Sequence, residues 1–253
     1  MTRSASRLSS VLLACTALLA SALSAKVTET FSRTYPLKAD GVVSLSNVNG
    51  SVEITGWDRD EVSIEAEKSA ATAEGMQILQ IDIEHSPDRL AIKTTHQKVW
   101  QVWKHSKAQV HYKIKVPAGA SLRKIDVVNA TIRVSGVRGY VDLDSVNGAI
   151  KAEGLAAGGR FDTVNGSITA AFTALKPDDR IVLDTVNGSC TVVLPAGSTF
   201  SLNADSVNGG ISCDFPLKVA KSGRNKLVGT VGAGGASVVL DSVNGALRVK
   251  SAE

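Results

Sequence analysis

The tripeptide Val-Asn-Gly stands complete at 48–50, 146–148, 164–166, 186–188, 207–209 and 243–245, with a worn copy, Val128-Asn129-Ala130, after the first. A turn repeated this often restricts the chain to array architectures before any chemistry is considered. Aligned on the Asn, the copies share more than the turn. An Asp lies three places earlier in six of them (Asp126, Asp144, Asp162, Asp184, Asp205, Asp241), and Ser46 takes that place in the first. Core-type residues lie three and five places later, as in Val52/Ile54, Ile150/Ala152, Cys190/Val192 and Leu247/Val249. The unit reads as strand, turn, strand. Its turn residues are Asn49, Gly50, Asn147, Gly148, Asn165, Gly166, Asn187, Gly188, Asn208, Gly209, Asn244 and Gly245.

From Asn129 onward the Asn-to-Asn spacings are 18, 18, 22, 21 and 36. The last is twice 18, so a rung between Arg224 and Gly235 is expected to have lost its signature. Two architectures compete. Asn-Gly between alternating apolar strands is a strong hairpin signal, and stacked antiparallel hairpins would set the Asp column across from Arg133, Lys151 and Arg248. In a β-solenoid the turn is instead a corner between two faces of a coil. The Val before each Asn favours the coil, because a hairpin leaves it exposed beside the Asp whereas a corner can tuck it inside. The expected fold is all-β: a right-handed, parallel β-helix-like solenoid with rungs of roughly 18–22 residues, preceded by an N-terminal β region.

Residues 1–25 read as a signal peptide, with Arg3 and Arg7 ahead of the apolar run Val11 to Leu23 and cleavage at Ala22 or Ala25. The run falls short of the roughly 20 apolar residues a membrane span needs. Lipid attachment through Cys15 is the alternative to plain export. Residues 26–116 are read as the N-terminal β region and 117–253 as the repeat coil, because Val116-Pro117-Ala118-Gly119 is echoed by Leu194-Pro195-Ala196-Gly197. No later segment reads as transmembrane, and the expected location is periplasmic or extracellular. Cys190 and Cys213 are out of step by two residues, about 8 Å apart on neighbouring rungs, and are expected to stay unpaired.

Thr28-Glu29-Thr30-Phe31, Ser46-Asn47-Val48-Asn49-Gly50, Gly56-Trp57-Asp58-Arg59-Asp60-Glu61-Val62, the Val-Pro-Ala-Gly turn and Gly232-Ala233-Gly234-Gly235 occur in this order along the chain. With the Val-Asn-Gly repeats, they resemble the bacterial β-strand-repeat family known as "putative adhesin", a domain of unknown function. The resemblance runs from about 29 to 250. It implies a β-solenoid-like fold in an exported or envelope protein and carries no catalytic residues.

Two features are candidates for function. The Asp column, if stacked in register, forms a file of carboxylates that needs an offsetting partner. Turn capping or pairing with Arg133, Lys151 and Arg248 is one answer, and a bridging Ca²⁺ is another. The second feature is the stretch from Arg89 to Lys124, which has nine Lys and Arg and no Asp or Glu. Within it Trp100, Trp103, Lys104, His105 and Lys107 form a seat for an anionic polymer, lipid headgroup or glycan; the plainer reading is a solvated strand face. No cofactor or metal is expected, and nucleic acid is not an expected partner of an exported chain. The expected role is a non-enzymatic structural or interaction module of the cell envelope, capable of self-association through open coil ends. A polysaccharide lyase-like coil enzyme is the alternative.

Overall fold

The computed structural model describes residues 26–96 and 107–252. In chain order the strands begin with β1 (Val27–Pro36), β2 (Val42–Asn49), β3 (Val52–Trp57), β4 (Glu61–Ala70), β5 (Leu79–Ser86), β6 (Arg89–His96) and β7 (Gln109–Pro117). Then come β8 (Ser121–Asn129), β9 (Ile132–Ser135), β10 (Val141–Asn147), β11 (Ile150–Leu155), β12 (Gly159–Asn165), β13 (Ile168–Phe172), β14 (Arg180–Asn187) and β15 (Cys190–Leu194). The last are β16 (Phe200–Asn208), β17 (Ile211–Cys213), β18 (Leu217–Ser222), β19 (Lys226–Val231), β20 (Ala236–Asn244) and β21 (Leu247–Ser251). One short helix, α1 (Ala73–Gln77), interrupts them. No helix among the described residues is long and apolar enough to cross a membrane.

The strands form two facing sheets, and the chain is a β-solenoid-like repeat fold. The first sheet runs β1-β4-β7-β3-β9-β11-β13-β15-β21-β17, and the second runs β18-β19-β16-β20-β14-β12-β10-β8-β2-β6-β5. Each Val-Asn-Gly carries the chain from the second sheet to the first, so the strands flanking a turn lie in different sheets and do not pair. That excludes the hairpin alternative. Neighbouring rungs pair in parallel and in register, Asn147 with Asn165, Asn165 with Asn187 and Asn187 with Asn244.

The core lies between the sheets and is built by alternation along the strands, interrupted by register shifts in β8 and β11. The positions three and five after each Asn point inward and are buried, from Val52 and Ile54 through Leu247 and Val249. Only Ile211 and Cys213, on the last rung, remain partly open. The second sheet supplies the facing layer, for example Leu143, Phe161, Leu183 and Leu240. Phe161 meets the Phe172 ring edge-on at 6.4 Å.

Several expectations are corrected by the topology. The 36-residue spacing hides no rung. Leu217 to Val231 forms the antiparallel hairpin β18–β19, which closes only the second sheet. The following pair, β20 and β21, slips between the β14/β15 rung and the β16/β17 rung, so rung order departs from chain order. Cys190 and Cys213 are both free thiols, but the rung of β21 separates them, so their rungs are not adjacent. Across 116/117, β2 and β3 stack directly on β8 and β9.

Candidate interaction surface along the coil corner

At the corners that carry the glycine, the rungs approach too closely for a side chain. A Cβ added at Gly148 would overlap the Ala130 carbonyl, one at Gly166 the Gly148 carbonyl, one at Gly188 the Gly166 carbonyl, and one at Gly245 the Gly188 carbonyl. Glycine therefore serves here for close backbone approach. Two kinds of side chain then fasten the stack. The residue before each Val points inward, and in five copies its hydroxyl donates to the carbonyl of the neighbouring rung: Ser145 to Ala130, Thr163 to Gly148, Thr185 to Gly166, Ser242 to Gly188 and Ser206 to Gly245, all at 3.0–3.1 Å; the worn copy has Val127 there. In the first rung Asn47 takes this place, donating to the carbonyls of Asn49 and Val110. Burying a hydroxyl without a partner is costly, so this column is a structural fastener. The Asp-Ser/Thr-Val-Asn-Gly pattern was visible in the sequence, but only the strand alternation shows that its hydroxyl faces inward.

Outside, the Asn amides form a ladder. Asn208 donates to Asn244, Asn244 to Asn187, Asn187 to Asn165, Asn165 to Asn147, Asn147 to Asn129 and Asn129 to Asn49, each at 2.8–3.0 Å. Asn49 ends the series on the Ala108 carbonyl at 3.2 Å. The Val column lies beside the ladder and is exposed, from 37% at Val128 to 57% at Val207. The tucked-in position expected for these Val residues is therefore wrong. Strand pairing continues through the Asn, so the pleat that turns Leu143 and Ser145 inward turns Asp144 and Val146 outward.

The Asp column runs on the outer face of the second sheet, Asp126, Asp144, Asp162, Asp184, Asp241 and Asp205 in spatial order. Its partners are local and lie on that sheet: Lys124 with Asp126 at 4.0 Å, Arg160 with Asp162 at 2.7 Å, and Lys226 with Asp205 at 2.7 Å. Arg133, Lys151 and Arg248 belong to the first sheet, and Lys151 pairs instead with Glu153. The pairing expected from sequence is not made. Burial raises the carboxyls of Asp126, Asp162 and Asp241, with neighbouring Asp residues adding to the shift. For Asp162 burial and then Asp184 and Asp144 outweigh Arg160, and its pKa stands at about 6.

A carboxyl raised in the folded state holds its proton where the unfolded chain has lost it. Stability from this group is present below about pH 4 and falls as pH rises to about 6. The full shift corresponds to about 3 kcal/mol, which solvent screening at a half-buried, Arg-paired site reduces to about 1. Asp162→Asn should therefore match the parent protein below pH 4 and exceed its stability by about 1 kcal/mol above pH 7 in urea melts. A variant less stable than the parent at the higher pH would show the ionised carboxylate to be net stabilising.

One further rung stacks on that of the first Val-Asn-Gly, and its two strands are not joined by that tripeptide. β6 stacks in parallel on β2, with Lys93 beside Ser46, and β7 stacks in parallel on β3, with Tyr112 beside Val52. β6 ends at His96 and β7 starts at Gln109, whereas the strands flanking a Val-Asn-Gly turn are separated by two residues, as at Gly148 and Ala149. In sequence, the basic Trp-containing segment lies between β6 and β7. Trp100, Trp103, Lys104 and His105 lie outside the described residues. Lys107 lies just before β7, exposed and with a φ of 44°.

A groove of about 340 Å³ crosses the outer face of the first sheet, lined by Ser51, Glu53, Glu65, Glu67, His111 and Lys113 among others. Ser51 Oγ and His111 Nδ1 are 2.8 Å apart there. The Gly50 and Val52 amides flanking Ser51 already donate to Asn129 and Thr131, so they offer nothing to a developing oxyanion. Among the described residues no group of three or more His, Cys, Asp and Glu is placed to hold a metal ion.

Residues 21–250 match the family described as Toastrack DUF4097. Among solved structures, the chain is similar to a "putative cell adhesion protein" from Clostridium sporogenes, with 13% identity, a TM-score of 0.45, and coverage of 88% of this chain and 100% of that one. It is also similar to a "putative adhesin" from Bacteroides fragilis, with 10% identity, a TM-score of 0.41, and coverage of 87% and 97%. A "putative lipid binding protein" from Parabacteroides distasonis follows, with 8% identity, a TM-score of 0.31, and coverage of 87% and 97%. No curated protein matches the chain.

Proposed function

The chain belongs to the Toastrack DUF4097 family, and we infer that it is an exported, non-enzymatic interaction module of the cell envelope. In this reading the coil is a support for a basic, Trp-containing segment that meets an anionic polymer, lipid headgroup or glycan. The observation that carries it is the composition of the segment between β6 and β7. Seven sheet-to-sheet connections use the short repeated turn, whereas residues 97–108 separate β6 from β7. That stretch of sequence holds Lys98, Trp100, Trp103, Lys104, His105 and Lys107 and no acidic residue. Cations offer long-range attraction to an anionic surface, and Trp rings offer stacking and apolar contact.

The Asp column supports the non-enzymatic half of the reading. It lies on an open sheet face and is neutralised in part by Lys124, Arg160 and Lys226, while the 340 Å³ groove lies on the other sheet. The test is co-sedimentation of the purified protein with isolated envelope fractions at low and high salt. Binding that weakens with salt is expected. Replacing Trp100, Trp103, Lys104 and Lys107 together with Ala should reduce retention by about tenfold or more while leaving the melting temperature in place. Retention unchanged in that variant, or none at either salt, would end this reading.

A further inference from the structure

We propose that the protein pairs with a second copy of itself through the free edge of β1, antiparallel and centred on Phe31, so that the two ten-stranded sheets join edge to edge. Sheet edges are templates for further pairing, and proteins that stay apart protect them. Three of the four edges here carry such protection. β18 presents Lys218 and Lys221 and has a register shift between Val219 and Lys221. β17 has only three residues and is followed closely by Pro216. β5 carries Asp82 and Glu84, and self-pairing centred on 82, 83 or 84 sets Asp82 or Glu84 opposite itself or each other.

β1 carries only charges of opposite sign, Glu29 and Arg33, and no register shift. It is ten residues long, regular along its whole pairing with β4, and free of proline until its last position. No strand among the described residues covers its other side. Its sequence is also self-complementary. An antiparallel pairing centred on Phe31 sets Glu29 against Arg33 of the second copy, twice by symmetry, with Val27 against Tyr35 and Phe31 against Phe31. On the opposite face, Thr28 meets Thr34 and Thr30 meets Ser32. Each is a favourable cross-strand pair, and a two-fold interface needs this kind of self-matching surface. Val27, Phe31 and Tyr35 are half-buried in the single chain, so each presents apolar area for a partner to cover. Lys68 already holds Glu29 from within the chain at 2.8 Å, and Arg33 lies over the Phe31 ring at 5.3 Å. In the pair these charges would run Lys68, Glu29 and then Arg33 of the second copy across the junction.

This inference does not depend on the proposed function; if both hold, the pair carries two basic Trp-containing segments and gains avidity. The test uses light scattering and sedimentation over a concentration series, with the protein expressed from its full sequence. The parent chain should form dimers. Glu29→Arg and Arg33→Glu alone should each weaken dimerisation by about tenfold or more, because like charges then face each other. The double variant Glu29→Arg/Arg33→Glu should restore it, although the intramolecular contact with Lys68 stays lost. A monomeric parent chain, single variants that dimerise as the parent does, or a double variant as weak as the singles would each overturn the proposal. Melting curves on every variant separate loss of pairing from loss of fold.

Discussion

Gly166→Ala is expected to destabilise the protein by about 3 kcal/mol or more, although it adds one methyl group at the surface end of a turn. The added Cβ would overlap the Gly148 carbonyl. That oxygen belongs to backbone and also accepts the Thr163 hydroxyl at 3.1 Å. It cannot retreat without parting two rungs, which also stretches the Asn165–Asn147 hydrogen bond of 2.8 Å. For a chain of this size the loss corresponds to a fall in melting temperature of about 6–12 °C. Ala130 is the informative control. It holds the glycine position of its own copy and stacks on Gly50, whose φ of +124° sends the preceding corner along a different path. Ala130→Gly should change stability by less than about 1 kcal/mol. Thermal melts showing equal effects for the two substitutions would mean that the rungs are not in the close contact described.

Much of this fold was legible because the repeat couples a turn to a period-two strand pattern. The inward positions after each Asn could be read directly, since Val52, Ile132, Ile150, Ile168, Cys190 and Leu247 must share one environment if the corners stack. The order of the last two rungs could not. Phe200, Leu202 and Ala204 in β16 present the same inward pattern as Ala236, Val238 and Leu240 in β20, so either strand suits either position. What separates them is the follow-on chain. Ile211, Ser212 and Cys213 make a short, weakly apolar strand suited to an end, and the hairpin that follows it closes the sheet beside β16.

The outward Val column was misjudged for a local reason. Pairing persists to the Asn, and the chain leaves the second sheet one residue later than a corner at Val would require. The same alternation would have identified the inward Ser and Thr hydroxyls, because Leu143 and Ser145 lie on one side of their strand and Asp144 and Val146 on the other. The basic Trp-containing segment was conspicuous in composition. The rung formed by the two strands that flank it could not be read, because no Val-Asn-Gly joins them; the pairing of β6 with β2 and β7 with β3 supplies it.

Rung order is the point on which the whole account turns, and a pair of engineered thiols tests it. Val182 lies beside Val239, which lies beside Asn203. Adjacent strands are separated by about 4.8 Å, within the range a disulfide spans. Two strands apart is about 9.6 Å, beyond it. In a Cys213→Ser background, native Cys190 should stay silent, since burial pushes its thiol up to about 12. Mild oxidation, followed by mass analysis of free thiols, should close an intramolecular disulfide in Val182→Cys/Val239→Cys and leave Val182→Cys/Asn203→Cys reduced. Closure in the second variant and not the first would mean that the rungs stack in chain order, and the architecture described here would be wrong.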